Sequence, residues 1–184
     1  LYQDEAKVLQ LHLVRDLPVK TAATVTAVAY DFDGNELRRF DLSVSLRPNE
    51  NRRLKSFKAS ELADLDPDAC FIELVTVAET AEGRRFRHEN TFFFSPFKRC
   101  DLRKAALQVK VEEKDGRYFC RLTTDKPAFF VTLDTPGIPG IFSDNSVTLL
   151  PGVPVELEFT PKRKTSLKEL QKDFAVNDLR NTYN

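Results

Sequence analysis

The sequence lacks tryptophan and methionine entirely, and it is poor in glycine and histidine. Six glycines leave little material for a loop that cradles phosphate through its backbone amides. The two histidines, His12 and His88, stand without a second histidine or a cysteine at metal-ligand spacing. No apolar run approaches the ~20 residues that a membrane-spanning helix needs. These absences argue against a phosphate-binding loop, a zinc site and a helical membrane span.

The chain also lacks an excess of either charge. Lysine and arginine together number 28, as do aspartate and glutamate, so the formal net charge is zero. Nucleic acids and anionic membrane surfaces both reward a basic face. Two short basic clusters, at 84–87 and 162–164, are flanked by acidic residues and are typical of solvated surface. We therefore expect neither a nucleic acid nor a membrane as a partner.

Cysteines are few and widely spaced. There are three cysteines, Cys70, Cys100 and Cys120, and no two of them form a Cys-x-x-Cys pair. The odd number and the wide spacing disfavour a zinc ribbon, a redox motif and a disulfide framework. Cys120 alternates with Tyr118 and Leu122, which predicts a buried, apolar cysteine. No Asn-x-Ser/Thr acceptor occurs. The missing acceptor and the odd cysteine count favour a bacterial origin and a cytoplasmic or periplasmic location.

What the sequence has in abundance is apolar residues at every second position. This period of two is typical of strands in an antiparallel sheet with one wet face. The clearest runs are Leu9–Leu13, Phe40–Leu46, Leu107–Val111 and Val155–Phe159. Glycine-containing turns predict hairpins at Asp33-Gly34-Asn35, Glu82-Gly83 and Asp115-Gly116. Helical signals are confined to Ser60–Leu65 and Ser166–Lys172, with Ser166 as the predicted N-cap.

Strands recur at intervals of roughly ten residues, which predicts β-sandwiches of the immunoglobulin kind. The alternation stops near residues 95–99 and restarts at Leu107. Two domains of about 95 and 85 residues would result, each the size of one immunoglobulin-like sandwich. We therefore predict an all-β protein of two consecutive immunoglobulin-like antiparallel β-sandwich domains, over residues 1–98 and 99–184.

The segment Asp31-Phe32-Asp33-Gly34-Asn35 is superficially similar to a calcium-binding loop. Its glycine stands at the fourth position instead of the sixth, and no glutamate follows at the twelfth. A hairpin turn is therefore the favoured interpretation of this segment.

Four segments towards the end of the chain share a pattern with a known family. They are Glu89–Lys98, Val131–Asn145, Leu149–Gly152 and Phe174–Tyr183, and the second ends in Phe142-Ser143-Asp144-Asn145. In this order they resemble the C-terminal immunoglobulin-like domains of β-mannosidases of glycoside hydrolase family 2. The resemblance is strong over residues 89–184, and over 1–88 it depends on position and strand pattern. It reaches Tyr183, so we expect the natural C-terminus to be present.

The resemblance implies a longer enzyme, of which this chain would be the last two sandwich domains. In that family the reaction removes terminal non-reducing β-D-mannose with retention of configuration, using two glutamates of a catalytic (β/α)₈ barrel. Nothing within 1–184 alternates βαβα as a barrel would, so no catalytic residue is carried over to this chain. We predict no catalytic, cofactor-binding or metal-ligating residue and no cofactor. The implied partner is the catalytic barrel of the same parent chain.

Asp144 and Asn145 are the most specific residues of the resemblance. Their short side chains can cap their own backbone in a loop that precedes a predicted strand at 146–150. The alternative interpretation has this loop contacting a neighbouring domain or the substrate. The sequence leaves both interpretations open.

Two other functions stay open as well. The chain could be a carbohydrate-binding β-sandwich module for mannan-type glycans, although such sites favour tryptophan, which is absent. It could also be an independent adhesion or interaction sandwich, although the start at Leu1 and the absence of methionine indicate a piece of a longer or processed protein. The non-catalytic domain pair is the interpretation that we favour.

Overall fold

The computed structural model describes residues 1–3, 8–14 and 18–183, with the backbone alone for Ala59. These residues divide into two compact units. The first contains the described residues of 1–31 together with 35–101, and the second contains 32–34 and the described residues from Leu102 onwards. Both units are built from antiparallel strands, and helix is restricted to short segments, which confirms the predicted all-β class.

The described part of the first unit contains two facing sheets. Its strands are β1 (Tyr2–Gln3), β2 (Leu9–Val14), β3 (Thr21–Asp31), β4 (Glu36–Leu46), β5 (Asn51–Phe57), β6 (Cys70–Thr80) and β7 (Arg85–Phe93). One sheet has the order β1-β2-β5, and the other has the order β4-β3-β6-β7. The predicted helical segment near 60–65 is a 3₁₀ turn, Ala59–Glu61, between β5 and β6.

The core of the first unit lies between these sheets, because alternate residues of each strand point to the facing sheet. It is formed by Leu9, Leu11 and Phe57 from one sheet and by Val25, Ala27, Ala29, Ile72 and Leu74 from the other. The outer face of the four-stranded sheet is partly covered as well. There Phe71 stacks with Tyr30 and Phe93, with ring centroids 5.8 and 6.2 Å apart.

The second unit is also a sandwich in its described part. Its strands are β8 (Gln108–Lys114), β9 (Arg117–Thr123), β10 (Ala128–Asp134), β11 (Gly140–Phe142), β12 (Val147–Leu149), β13 (Val155–Pro161) and β14 (Ala175–Asn177), with helix α1 (Leu167–Asp173) and a 3₁₀ turn (Arg180–Thr182). The sheets have the orders β11-β13-β9-β8 and β12-β10-β14. Val131, Leu133 and Leu149 of one sheet pack with Cys120, Leu122 and Phe159 of the other.

Local sequence signals explain how these elements begin and end. Asp115 and Gly116 have φ angles of 53° and 73°, which is the conformation that a two-residue hairpin between β8 and β9 requires. Ser166 caps α1: its hydroxyl accepts from the Glu169 N–H, and the Glu169 carboxylate accepts from the Ser166 N–H at 2.8 Å. The helix is held by Leu170, which is fully buried. The predicted hairpins and the predicted N-cap are confirmed.

Candidate functional site

The loop at 143–146, on which the resemblance depends most, connects β11 to β12 in the second unit. It borders a cavity of about 480 Å³ whose lining includes Asp144, Asn145 and Lys162. Ile141 also lines this cavity, and 61% of its surface is exposed. The cavity therefore combines charged side chains of both signs, Asp134, Asp144 and Lys162, with exposed apolar surface.

Asn145 has a specific structural task in this loop. The pairing of β12 with β10 sets Val147 opposite Val131, so the same register places Asn145 opposite Leu133. Asn145 Oδ1 accepts from the Leu133 N–H at 2.9 Å, and Asn145 Nδ2 donates to the Leu133 carbonyl, also at 2.9 Å. The side-chain amide thus takes the place of a strand partner before β12 has begun. Leu133 is buried, so its backbone groups need such partners.

The neighbouring residues cap the loop backbone. Asp144 Oδ1 accepts from the Asn145 N–H at 2.7 Å, and Asn145 Oδ1 also accepts from the Ser146 N–H at 3.0 Å. Ser146 has a φ of 62°, a left-handed conformation that turns the chain into β12. Backbone capping by Asp144 and Asn145 is therefore confirmed. Contact of this loop with a neighbouring domain or with substrate stays a prediction.

Replacing Asn145 tests its bridging role. Asn145→Ala should lower the free energy of unfolding by about 2 kcal/mol, because the buried N–H and C=O groups of Leu133 lose their partners. Asp144→Ala is the matched control, since it truncates the adjacent exposed side chain, and we expect a loss below about 1 kcal/mol. Urea unfolding followed by circular dichroism measures both losses. Equal losses for the two variants would contradict the bridging role.

The two histidines lie on different sheets of the first unit, yet both line one cavity of about 430 Å³. His12 lies on β2, with Nδ1 3.4 Å from Asn51 Oδ1 and Nε2 3.3 Å from Gln10 Oε1. His88 lies on β7, opposite Thr76. Both histidines therefore lie on strands. The sequence contains no signal for their shared cavity, because β2 and β7 are distant in the chain and are not hydrogen-bonded neighbours.

The segment that is superficially similar to a calcium loop is a hairpin. Asn35 donates from its backbone N–H and from Nδ2 to the two carboxylate oxygens of Asp31, both at 2.8 Å. The Asp31 N–H in turn donates to the Asn35 carbonyl at 3.1 Å. The hairpin interpretation is confirmed. Within residues 1–3, 8–14 and 18–183, no group of three or more histidine, cysteine or acidic side chains could hold a metal ion.

The cysteines are unsuited to nucleophilic chemistry. Burial raises the pKa of the Cys70 thiol to about 11 and that of the Cys120 thiol to about 12, so both stay protonated near neutral pH. Burial also raises the pKa of Cys100, whose thiol lies within hydrogen-bonding distance of the Ser95 carbonyl. Cys120 belongs to the core of the second unit, which confirms the predicted apolar cysteine.

The basic cluster at 84–87 is a solvated strand face. Arg85 pairs with Glu79 at 2.8 Å and Arg87 pairs with Glu89 at 2.5 Å, and all four side chains are exposed. The guanidinium of Arg84 lies 5.7 Å from the ring centroid of Phe86. Arg85 and Arg87 are therefore neutralised locally by acidic side chains of the same sheet. Among the described helices, none is long and apolar enough to cross a membrane.

Glu73 is a polar residue whose environment the sequence does not reveal. It lies on β6 between the core residues Ile72 and Leu74, so its side chain points to the outer face of the four-stranded sheet, yet it is 6% exposed. Its Oε2 accepts from the Thr91 hydroxyl at 2.8 Å. Burial, assisted by the nearby charge of Glu89, raises the pKa of Glu73 to about 7, against the opposing effects of Thr91 and Arg87.

Two family models match the chain, one for each half. The model described as a mannosidase Ig/CBM-like domain matches residues 7–99. The model described as an Ig-fold domain of the mannosidase type matches residues 102–182. Together the two models account for nearly the whole chain.

Curated relatives and solved structures agree with these matches. The chain is 27% identical to the β-mannosidase of Capra hircus in an alignment that covers 98% of this chain. It is 35% identical to the β-mannosidase of Mus musculus in an alignment that covers 53% of this chain. It spans 21% and 11% of those two proteins. A β-D-mannosidase of Dictyoglomus thermophilum has the same fold over 96% of this chain and 21% of its own, with a TM-score of 0.75 at 20% identity. An exo-chitosanase of Amycolatopsis orientalis matches over 97% of this chain and 25% of its own, with a TM-score of 0.58 at 16% identity.

Proposed function

This chain belongs to the C-terminal immunoglobulin-like domains of β-mannosidases, and we propose that it supports the catalytic barrel of a longer glycoside hydrolase. In this proposal the sandwich over residues 1–98 is the penultimate domain of the parent, and the sandwich over 99–184 is its last domain. The observation that carries the proposal is the alignment with a β-mannosidase over 98% of this chain but 21% of that relative. The four fifths of that relative that this chain does not cover leave ample length for a barrel of about 250 residues and further domains.

The proposed activity of the parent is the hydrolysis of terminal non-reducing β-D-mannose residues with retention. A retaining hydrolase needs two carboxyl groups about 5–5.5 Å apart, one as the acid/base and the other as the nucleophile. In the proposal both belong to the barrel, and the two sandwiches contribute no catalytic, cofactor-binding or metal-ligating residue. Glu73 has a pKa of about 7 and accepts a hydrogen bond from the Thr91 hydroxyl on a sheet face. In this proposal Glu73 is not a member of the catalytic carboxyl pair.

A comparison of three proteins tests this division of labour. The 184-residue chain alone should show no turnover of p-nitrophenyl β-D-mannoside, whereas the full-length parent should release p-nitrophenol. The parent truncated before the residue that corresponds to Leu1 should lose activity or solubility, because the barrel would expose the apolar surface that the sandwiches cover. Full activity of the truncated parent would contradict the supporting role.

A titration of the labelled chain separates support from sugar binding. Addition of β-1,4-mannobiose and mannotriose up to millimolar concentrations should leave the amide resonances of the chain unchanged. A contiguous set of shifts around Asp144 and Asn145 would instead assign a glycan-binding role to the motif loop. The titration reports on sugar binding and the activity comparison reports on support of the barrel. A result against one role therefore leaves the other role to be judged by its own experiment.

A further inference from the structure

The cavity in the first unit that both histidines line extends along the edge of a strand. Its lining includes four consecutive residues of β2, Leu11 to Val14, which belong to both faces of that strand. Across the cavity the lining is formed by alternate residues of β7, Phe86, His88 and Asn90. A lining of consecutive residues on one side means that the cavity reaches the backbone edge of β2 as well as its side chains.

The inner face of β7 is not covered by the facing sheet. Phe86, His88 and Asn90 pair with Ala78, Thr76 and Leu74 of β6, and Leu74 is part of the core, so this row of β7 points inward. All three residues are nevertheless exposed, with 39% of Phe86 accessible. Three described strands face four, and the edge strand β1 of the smaller sheet is only two residues long.

In the described part of the chain, no strand pairs with the edge of β2 beside this cavity over Leu11–Val14. β1 pairs with β2 at two positions, Tyr2 opposite Gln10 and Gln3 opposite Leu9. Continuing this antiparallel register places Leu1 opposite Leu11, and the three positions before Leu1 opposite His12, Leu13 and Val14. No described residue occupies those positions. Leu1 itself lines the cavity.

A buried polar group in the same lining also lacks a partner among the described residues. Thr21 is 3% exposed, and its hydroxyl makes no hydrogen bond with any described residue. A hydroxyl buried in this way costs free energy unless a polar group reaches it. The lining is therefore incomplete as the described residues stand.

We propose that this cavity receives the polypeptide strand that leads into β1 in the longer protein. That segment lengthens β1 along Leu11–Val14 and completes the sheet over β7. Because Leu9, Leu11 and Leu13 share one face of β2, the second residue before Leu1 points into the cavity, whereas the first and third point outward. The occupant is therefore apolar at that second position. This inference rests on the proposed function only in requiring that the chain continue before Leu1.

Short amino-terminal extensions of the 184-residue chain test the site. One variant carries Ser-Thr-Ile-Thr before Leu1, which places isoleucine at the inward position. The matched control carries Ser-Thr-Thr-Ile, which has the same composition but moves isoleucine to the outward position. The first should raise the melting temperature by about 3 °C and slow amide hydrogen exchange at alternate residues of Leu11–Val14 by about tenfold or more. The control should do neither to the same extent.

Equal effects of the two extensions, or no slowing of exchange with either, would overturn the proposal. A second copy of the chain is the rival occupant, and sedimentation measures the oligomeric state of the unextended and extended chains. A dimer that persists after extension would mean that a second copy fills the cavity, and it too would overturn the proposal. These measurements follow stability and assembly, so they are independent of whether the parent hydrolyses β-mannosides.

Discussion

Gly140→Ala should lower the free energy of unfolding by about 3 kcal/mol, at the upper end of what one added methyl group costs in a packed core. A Cβ at this position would lie 2.2 Å from Cζ of Phe159 and 2.9 Å from the backbone oxygen of Thr160. Phe159 is 1% exposed and packs against Phe142, with ring centroids 4.7 Å apart. Neither the ring nor the backbone can move without disturbing the core of the second unit.

A double-mutant cycle identifies the cause of this loss. In a Phe159→Leu background the ring atoms that meet the new Cβ are absent, so Gly140→Ala should cost less than half as much as in the parent sequence. Gly137→Ala is a second control in the same segment, because its Cβ would meet Oδ1 of the Asp173 carboxylate at 2.8 Å and not a buried ring. Urea unfolding measures each loss. Strict additivity of Gly140→Ala and Phe159→Leu would contradict a direct clash.

Glu73→Gln should make the protein more stable at alkaline pH, by up to about 3 kcal/mol. The pKa of Glu73 is raised to about 7 in the folded state, above the value of about 4.3 expected in the unfolded chain. The folded state therefore favours the protonated carboxyl. Its stabilising effect is complete below about pH 4 and is lost as the pH rises through 7. Glutamine keeps an acceptor for the Thr91 hydroxyl and removes the titration.

Stability profiles between pH 4 and pH 9 measure this effect. The free energy of unfolding of the unmodified chain should fall relative to that of Glu73→Gln between about pH 4.5 and pH 7 and then stay parallel to it. Glu82→Gln is the matched control, because it removes an exposed carboxylate in the hairpin between β6 and β7. Its profile should follow that of the unmodified chain. Parallel profiles for Glu73→Gln and the unmodified chain throughout this range would contradict a raised pKa.

Much of the motif loop could be anticipated from its residue types, but its central interaction could not. Asp144 and Asn145 are short polar residues before a strand, and this is enough to predict backbone capping. The bonds from Asn145 to both backbone groups of Leu133 depend on the register between β10 and β12. That register is set by packing of strands and by the turn at Ser146, and neither appears as a local pattern.

The sequence by itself determined the all-β class, the hairpin at Asp115-Gly116 and the capping of α1 by Ser166, because each depends on residues that are near neighbours in the chain. Only the tertiary structure decided the burial of Glu73 and the contact of Gly140 with Phe159. It alone also placed His12 and His88 on one cavity. These features arise where strands distant in sequence meet, and a pattern with a period of two specifies which face a residue occupies but not what covers that face.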